Sequence, residues 1–323
     1  NIDPEKFCPI PFIQLQLNPM GNISACCYSN EYKVGDVKTS TVKEIWNNEI
    51  MQSWRREFLT GDIKICKESM RLYNCHKQYD HLMDKIKLVE KQPAMPQKLD
   101  LRLNGRCNLE CVMCDVWRQP NNLYNDSDFW DIGPTEIFPH LLEIDMLGGE
   151  PFIQKDTYRL IDEVTKVNPE CTWGFITNGQ YKFTDRLKSY MDRLHLRHIH
   201  LSVDAATEET YEKVRKGGRW PLMMETIQSY SEYKKERGHS FALFASMCVQ
   251  RDNWHDVEPF FELCETYGMT PLMQHLVGSQ HLSLQSFDGK ELESVIARLS
   301  NLPHQDQLGP IVSELSRVLE SKR

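Results

Sequence analysis

No stretch of this sequence is apolar for long enough to cross a membrane as a helix, which takes about 20 residues. No low-complexity tract and no internal repeat runs through it, so a fibrous or solenoid design is excluded. A basic balance is also missing. The net charge is -8, whereas a nucleic-acid-binding surface is normally basic. The opening residues, Asn-Ile-Asp-Pro-Glu-Lys, do not read as a signal peptide, and the expected location is the cytoplasm. What remains is a globular composition, 40% hydrophobic and 26% charged over 323 residues. That length suits one large domain or two smaller ones.

Cysteine is plentiful. There are 11, an odd number in clustered positions, which suits metal ligation in a reducing compartment better than disulfides. Cys107, Cys111 and Cys114 form a CxxxCxxC loop after the strand-like Leu-Arg-Leu segment. Thiolates are soft ligands for zinc or for iron–sulfur iron. A structural zinc site is closed by four ligands, yet no fourth Cys or His follows nearby, the next being His140. A cubane cluster on three thiolates leaves one iron open to another ligand.

This spacing resembles the radical SAM superfamily, in which three cysteines hold a [4Fe-4S] cluster whose open iron chelates S-adenosyl-L-methionine (SAM). The resemblance implies cleavage of SAM to a 5′-deoxyadenosyl radical that abstracts hydrogen from a substrate. Met113 fills the place before the last Cys where the family favours an apolar or aromatic residue.

The chain divides by composition into residues 1–96, 97–277 and 278–323. In the first part, Phe12 to Leu17 and Asn22 to Cys26 read as a hairpin around Asn18-Pro19-Met20-Gly21. A helix is expected from about Thr41, with Ile50, Trp54 and Phe58 on one face and Gly61 as its stop. Pro93 and Pro96 mark a linker. Beyond it, strands are expected near 99–103, 142–147, 172–177, 197–203, 241–249 and 271–276. Helices are expected over 154–167, 183–193, 207–216, 221–237 and 255–267, so repeated βα units imply a parallel sheet. The tail reads as helices over 289–299 and 311–321, covering an open edge or offering a docking surface.

Side chains alternate across a strand. Leu99, Leu101 and Leu103 oppose Asp100, Arg102 and Asn104; Leu142, Ile144 and Met146 oppose Glu143 and Asp145; Ile199, Leu201 and Val203 oppose His198, His200, Ser202 and Asp204. A doubly wound sheet buries both faces and reads as continuously apolar. One aliphatic and one polar face instead suit an open barrel with a solvated site. This agrees with the α/β fold that the resemblance implies, a partial (β/α)6 TIM-like barrel.

Strand two ends in Gly148-Gly149-Glu150, where glycines let a ligand approach the backbone. The segment matches the family's GGE motif, which implies contact with the SAM amino group. By the same resemblance Asn178, Ser202, Asp204 and Arg215 are candidates for other parts of SAM. Asp204 reads equally as a helix cap before Thr207, Asn178 as a turn residue and Arg215 as a solvated helical residue. A proton acceptor for the substrate is sought on the polar face, among Asp100, Glu143, Asp145 and His200, of which Asp145 and His200 are the chosen candidates. Gln274 and His275 point to opposite faces, and Arg102 has Asp100 or Asp145 as its ordinary partner. Cys171, Cys248 and Cys264 read as small core residues.

Cys8, Cys26, Cys66 and Cys75 are enough thiols for one auxiliary cluster, or for a zinc knuckle. Their pattern resembles a SPASM domain in its shortened "twitch" form, giving a small N-terminal α+β iron–sulfur domain ahead of the barrel. Residues 35–37 and 42–47 also resemble that family's segments. Eight residues separate Cys66 from Cys75, and Cys27 is a fifth, unassigned thiol that can replace a ligand, touch substrate or be inert.

The resemblance implies a radical SAM enzyme acting oxidatively on a peptide or protein, as in the biosynthesis of ribosomally made peptides, with an auxiliary [4Fe-4S] cluster. It implies an electron donor such as flavodoxin or ferredoxin, and a separate peptide-presenting partner is compatible with it. One alternative is a dehydrogenase or rearranging enzyme for a small molecule such as an amino-sugar. The other is an iron–sulfur scaffold or sensor without turnover.

Overall fold

The computed structural model describes residues 6–27, 32–73, 75–276 and 279–322. Residues 1–5 and the expected boundary at 277/278 lie outside them. The class is mixed α/β with parallel strands, as the alternating pattern requires. Contacts divide the chain into two compact units, residues 1–106, 118–175 and 186–196 in one, residues 107–117, 176–185 and 197–323 in the other.

The first unit holds strands in the order β3-β2-β1-β4-β5-β6: Gly35–Asp36, Asn22–Ser24, Gln14–Leu17, Lys98–Leu101, Glu143–Met146 and Thr172–Thr177, the last two residues of β6 being counted with the second unit. β1 to β3 are antiparallel to one another, while β1–β4, β4–β5 and β5–β6 are parallel. The expected hairpin is thus present but shorter. Ile10–Ile13 is a helical turn, α1, because Pro11 at its start already has a helical φ. Gly21, at φ +84°, makes the turn.

The single helix expected from Thr41 is two. Thr41 opens α2 (Val42–Trp46) with a capping box to Glu44. Asn48 then caps α3 (Glu49–Thr60), its side chain accepting from the Met51 N–H, and Gly61 closes it at φ +80°. Ile50 is 42% exposed, and the buried stripe is Met51, Trp54, Arg55 and Phe58. The expected linker is fixed. Glu90, Gln92 and Ala94 give their carbonyls to Arg55, Asn47 and Trp46 at 2.7–2.8 Å. Arg55 has no exposed surface, and its guanidinium also reaches the carbonyls of Pro11 and Trp46.

α4 (Lys67–Tyr73) follows α3, and α5 (Phe129–Ile132) precedes β5; α6 (Lys155–Val167) lies between β5 and β6. α7 (Asp185–Met191) follows β6. In the second unit, β7 (His195–Ser202), β8 (Ala242–Val249) and β9 (Thr270–His275) are parallel neighbours in that order. α8 (Glu208–Val214) and α9 (Trp220–Glu236) link β7 to β8, and α10 (Val257–Tyr267) links β8 to β9. α11 (Gly289–Ser300) and α12 (Gln305–Lys322) close the chain, and Gln307 of α12 accepts the Met273 N–H on β9 at 2.9 Å. Among the described residues no helix is long and apolar enough to cross a membrane, and no disulfide joins any of the cysteines.

Candidate functional site

The thiol loop lies in the second unit. Cys111 is buried, Cys107 half-buried and Cys114 exposed, with the side chain of Met113 half-buried between them. Backbone bonds from Glu110 and Val112 to the carbonyls of Lys216 and Val214 pin the loop against the end of α8. Donors converge on its sulfurs. Asn178 Nδ2 and the Leu109 N–H each lie 3.4 Å from Cys107 Sγ, and Arg215 Nη1 lies 3.7 Å from Cys111 Sγ. Burial pushes the Cys111 thiol up to about 11, with Arg215 pulling the other way. Donors aimed at sulfur fit thiolates that ligate an anionic cluster, because they stabilise the charge on the ligands.

Asp204 and Arg215 are neither cap nor solvated residue. Thr207 caps α8. Arg215 is 9% exposed, and its Nε donates to Asp204 Oδ2 at 2.8 Å. Burial alone would lower the Arg215 pKa, but Asp204 and Cys111 more than offset it and raise it. Asp204 Oδ1 accepts the Cys248 N–H at 2.6 Å, and Asp204 sits at φ +61°, a strained backbone for a non-glycine residue. Cys248 is therefore half-buried beside this pair rather than an isolated core residue, and burial lifts its thiol to about 12, with Asp204 adding to the shift. Ser202 is the register partner of Ser246 on β8. His200, 8% exposed, has no partner for Nε2 among the described residues, and burial lowers its pKa to about 4.

In the first unit, Gly148 and Gly149 follow β5 at φ +76° and +54°. A Cβ on Gly149 would stand 2.2 Å from the Arg106 carbonyl oxygen, and one on Gly148 2.5 Å from Arg102 Cβ. Both positions therefore exclude a side chain. Glu150 is fully buried and accepts the Phe152 N–H at 3.0 Å. Gln154, which sequence patterning missed, staples this turn with donations to the carbonyls of Asn104 and Arg106 at 2.9 Å.

Cys8, Cys26, Cys66 and Cys75 line one recess of about 330 Å³, counting the solvent at its mouth, together with Trp54, Met70 and Tyr79. Trp54 Nε1 donates to Cys66 Sγ at 3.2 Å, a pairing that no local pattern signals. No three His, Cys, Asp or Glu side chains among the described residues converge as they would on a single metal ion. Four thiols are the ligand number that one [4Fe-4S] cluster or one zinc ion takes. Cys27 is not in the lining. It lies in the field of Asp100 and Arg102, and burial lifts its thiol to about 11, with Asp100 adding to the shift. Asp145 does not stand alone, since Lys98, 3% exposed in its side chain, contacts it at 2.5 Å and Glu143 at 3.1 Å.

The radical SAM superfamily matches residues 101–264, and the SPASM iron-sulfur cluster-binding domain matches residues 8–76. A GTP 3′,8-cyclase of Staphylococcus carnosus is 29% identical over 171 residues, 47% of this chain and 46% of that one. A GTP 3′,8-cyclase of Clostridium botulinum is 23% identical over 146 residues, 44% and 45% of the two chains. This chain thus spans less than half the length of these relatives. Among solved structures, Streptococcus suis SuiB is similar at a TM-score of 0.47 and 13% identity, over 89% of this chain and 67% of that one.

Proposed function

The chain belongs to the radical SAM superfamily, and from that premise we propose an enzyme of SPASM/twitch type that takes a hydrogen atom from a peptide or protein and modifies it by cross-link, excision, epimerisation or dehydrogenation. Its cofactors are a [4Fe-4S] cluster, SAM and the iron–sulfur content of a SPASM domain set N-terminal to the radical SAM region. When bound, they supply a 5′-deoxyadenosyl radical and a second redox centre.

Cys107, Cys111 and Cys114 are assigned as ligands of the first cluster, with Met113 beside them. Cys8, Cys26, Cys66 and Cys75 are assigned to the auxiliary [4Fe-4S] cluster. Gly148, Gly149 and Glu150 are assigned to the SAM amino group by their motif, and Asn178, Ser202, Asp204 and Arg215 to SAM or to ordering the thiol loop. Asn178 and Arg215 hold donors against the sulfurs of Cys107 and Cys111, which lets those thiols ligate as anions. Of the acid–base candidates, His200 is neutral but, near 4, a weak base. Asp145 is engaged by Lys98. Asp100, whose pKa burial raises, is the further carboxylate candidate on this face. Cys27 is assigned to the substrate side rather than to ligation. The thiol content favours the cytoplasm, where flavodoxin or ferredoxin would serve as electron donor and a separate protein would present the peptide.

That Cys8, Cys26, Cys66 and Cys75 line one recess carries this proposal. Anaerobic reconstitution should yield about eight irons per chain, two cubanes' worth, and SAM-dependent 5′-deoxyadenosine under reductant. About four irons and no 5′-deoxyadenosine would overturn it. The names of the GTP 3′,8-cyclases favour a second reading, a small-molecule substrate such as a nucleotide or an amino-sugar. Conversion of GTP in the same incubation would select it.

A further inference from the structure

Across the polar face of the first unit, the strand register sets Gln14, Lys98 and Glu143 in one row and Gln16, Asp100 and Asp145 in the next. The first row is internally satisfied. Gln14 Nε2 donates to the Ala25 carbonyl at 2.7 Å, and Lys98 neutralises Glu143 at 3.1 Å. The second row differs. Gln16 is fully buried; its Oε1 takes the Ser24 hydroxyl at 2.8 Å, while its Nε2 has no acceptor among the described residues. Asp100 Oδ1 and Arg102 Nε face each other 3.6 Å apart as an ion pair, too long for a hydrogen bond.

A buried donor or acceptor is ordinarily filled. Three polar atoms without a hydrogen bond, one on β1, one on β4 and one just beyond β4, therefore define what fits beside the loose Asp100–Arg102 pair. Two are N–H donors, Gln16 Nε2 and Arg102 Nε, and one is a carboxylate acceptor, Asp100 Oδ1. An anion would satisfy the donors but meet Asp100. An ammonium would satisfy Asp100 but face Arg102 and the Gln16 N–H. A neutral group with a carbonyl oxygen beside an N–H satisfies all three.

We propose that Gln16, Asp100 and Arg102 form a binding shelf for a substrate amide, its carbonyl accepting from Gln16 or Arg102 and its N–H donating to Asp100. The shelf rests on the reading that this polar face receives substrate, and it deepens that reading by naming the group recognised. Gly148 takes part indirectly, since a side chain there would displace Arg102. An amide of this kind occurs as a peptide bond and as the lactam edge of guanine, so the shelf accommodates either class of substrate.

The test uses the full chain with its clusters reconstituted and oxidised and with 15N in its glutamine side chains. The Gln16 carboxamide signals are identified by their loss in Gln16→Glu. N-methylacetamide and guanosine are the probes; methyl acetate, which keeps the carbonyl but lacks the N–H, is the control. The expected result is a saturable shift of the Gln16 signals with N-methylacetamide or guanosine, at least about tenfold weaker with methyl acetate, as loss of one specific hydrogen bond requires. The first probe points to a peptide, the second to a nucleotide. Asp100→Leu should abolish the shift, and Asp100→Asn, which keeps an acceptor, should retain it. Equal response to methyl acetate, or signals unmoved by every probe because the shelf holds water alone, would overturn the proposal. Neither result depends on iron content or 5′-deoxyadenosine, so the shelf and the radical chemistry fail separately.

Discussion

Arg215 stands 3.7 Å from the sulfur of Cys111 while its Nε is anchored on Asp204 at 2.8 Å. The guanidinium thereby brings a fixed positive charge to the thiol loop.

Removing that charge should make the cluster assigned to this loop under the proposed function harder to reduce, because the extra electron loses a stabilising neighbour. Arg215→Gln alone strands the buried Asp204 and should cost about 3–5 kcal/mol. The double variant with Asp204→Asn removes both charges and should recover much of that stability. A redox titration followed by EPR should find the potential lowered in Arg215→Gln and closer to wild type in the double variant, where loss of the Asp204 charge offsets it; an unchanged potential in folded Arg215→Gln would refute the electrostatic role.

Trp54 combines two contributions that separate by substitution. It is fully buried and donates to Cys66. Trp54→Ala should lose about 3–5 kcal/mol from packing. Trp54→Phe, which keeps the ring and drops the N–H, should lose about 1 kcal/mol. Urea midpoints of the two variants distinguish them; equal losses would mean that the Cys66 contact dominates.

His200 makes stability depend on pH. Its folded pKa, near 4, lies below the ordinary value of 6.5. As pH falls, the unfolded chain takes up the proton first, so this contribution is complete above about 6.5 and is lost progressively toward 4. The full span is on the order of 3 kcal/mol. His200→Gln should flatten the difference in urea midpoint between about pH 7.5 and about pH 5. The same difference in both proteins would reject the assignment.

Gly149→Ala should be severe. The left-handed backbone at φ +54° costs a side chain about 1–2 kcal/mol, and the Arg106 carbonyl cannot yield as a flexible side chain would. Reconstituted iron content should persist while SAM affinity, measured by equilibrium dialysis, falls at least tenfold. Wild-type affinity would remove Gly149 from the SAM-binding set.

Local patterns in the sequence were enough for the alternation of strands and helices from β4 onward. The strand expected at 172–177 matches β6 to the residue, because Thr172 to Thr177 is apolar, β-prone and bounded by turn residues. Ile50 misled because a 3.6-residue period allows either Ile50 or Met51 above Trp54, and only the Asn48 cap decides which faces inward. The Lys98 clamp on Asp145 and Glu143, the Gln154 staple and the Trp54–Cys66 bond join residues far apart in sequence. Periodicity carries no record of such pairs. The unfilled atoms of Gln16 and Asp100 became visible only once the register placed them side by side.

The parallel pairing of β1 with β4 bears on how the protein is made and how it can be reshaped. Gln14–Leu17 leaves the ribosome about 80 residues before its neighbour Lys98–Leu101, so one edge of this strand waits unpaired during synthesis. A cut between residues 96 and 97 would separate hydrogen-bonded neighbours. The cysteine-rich region therefore behaves as part of the sheet rather than as a detachable module, and swapping it between proteins would require carrying β4 along with it.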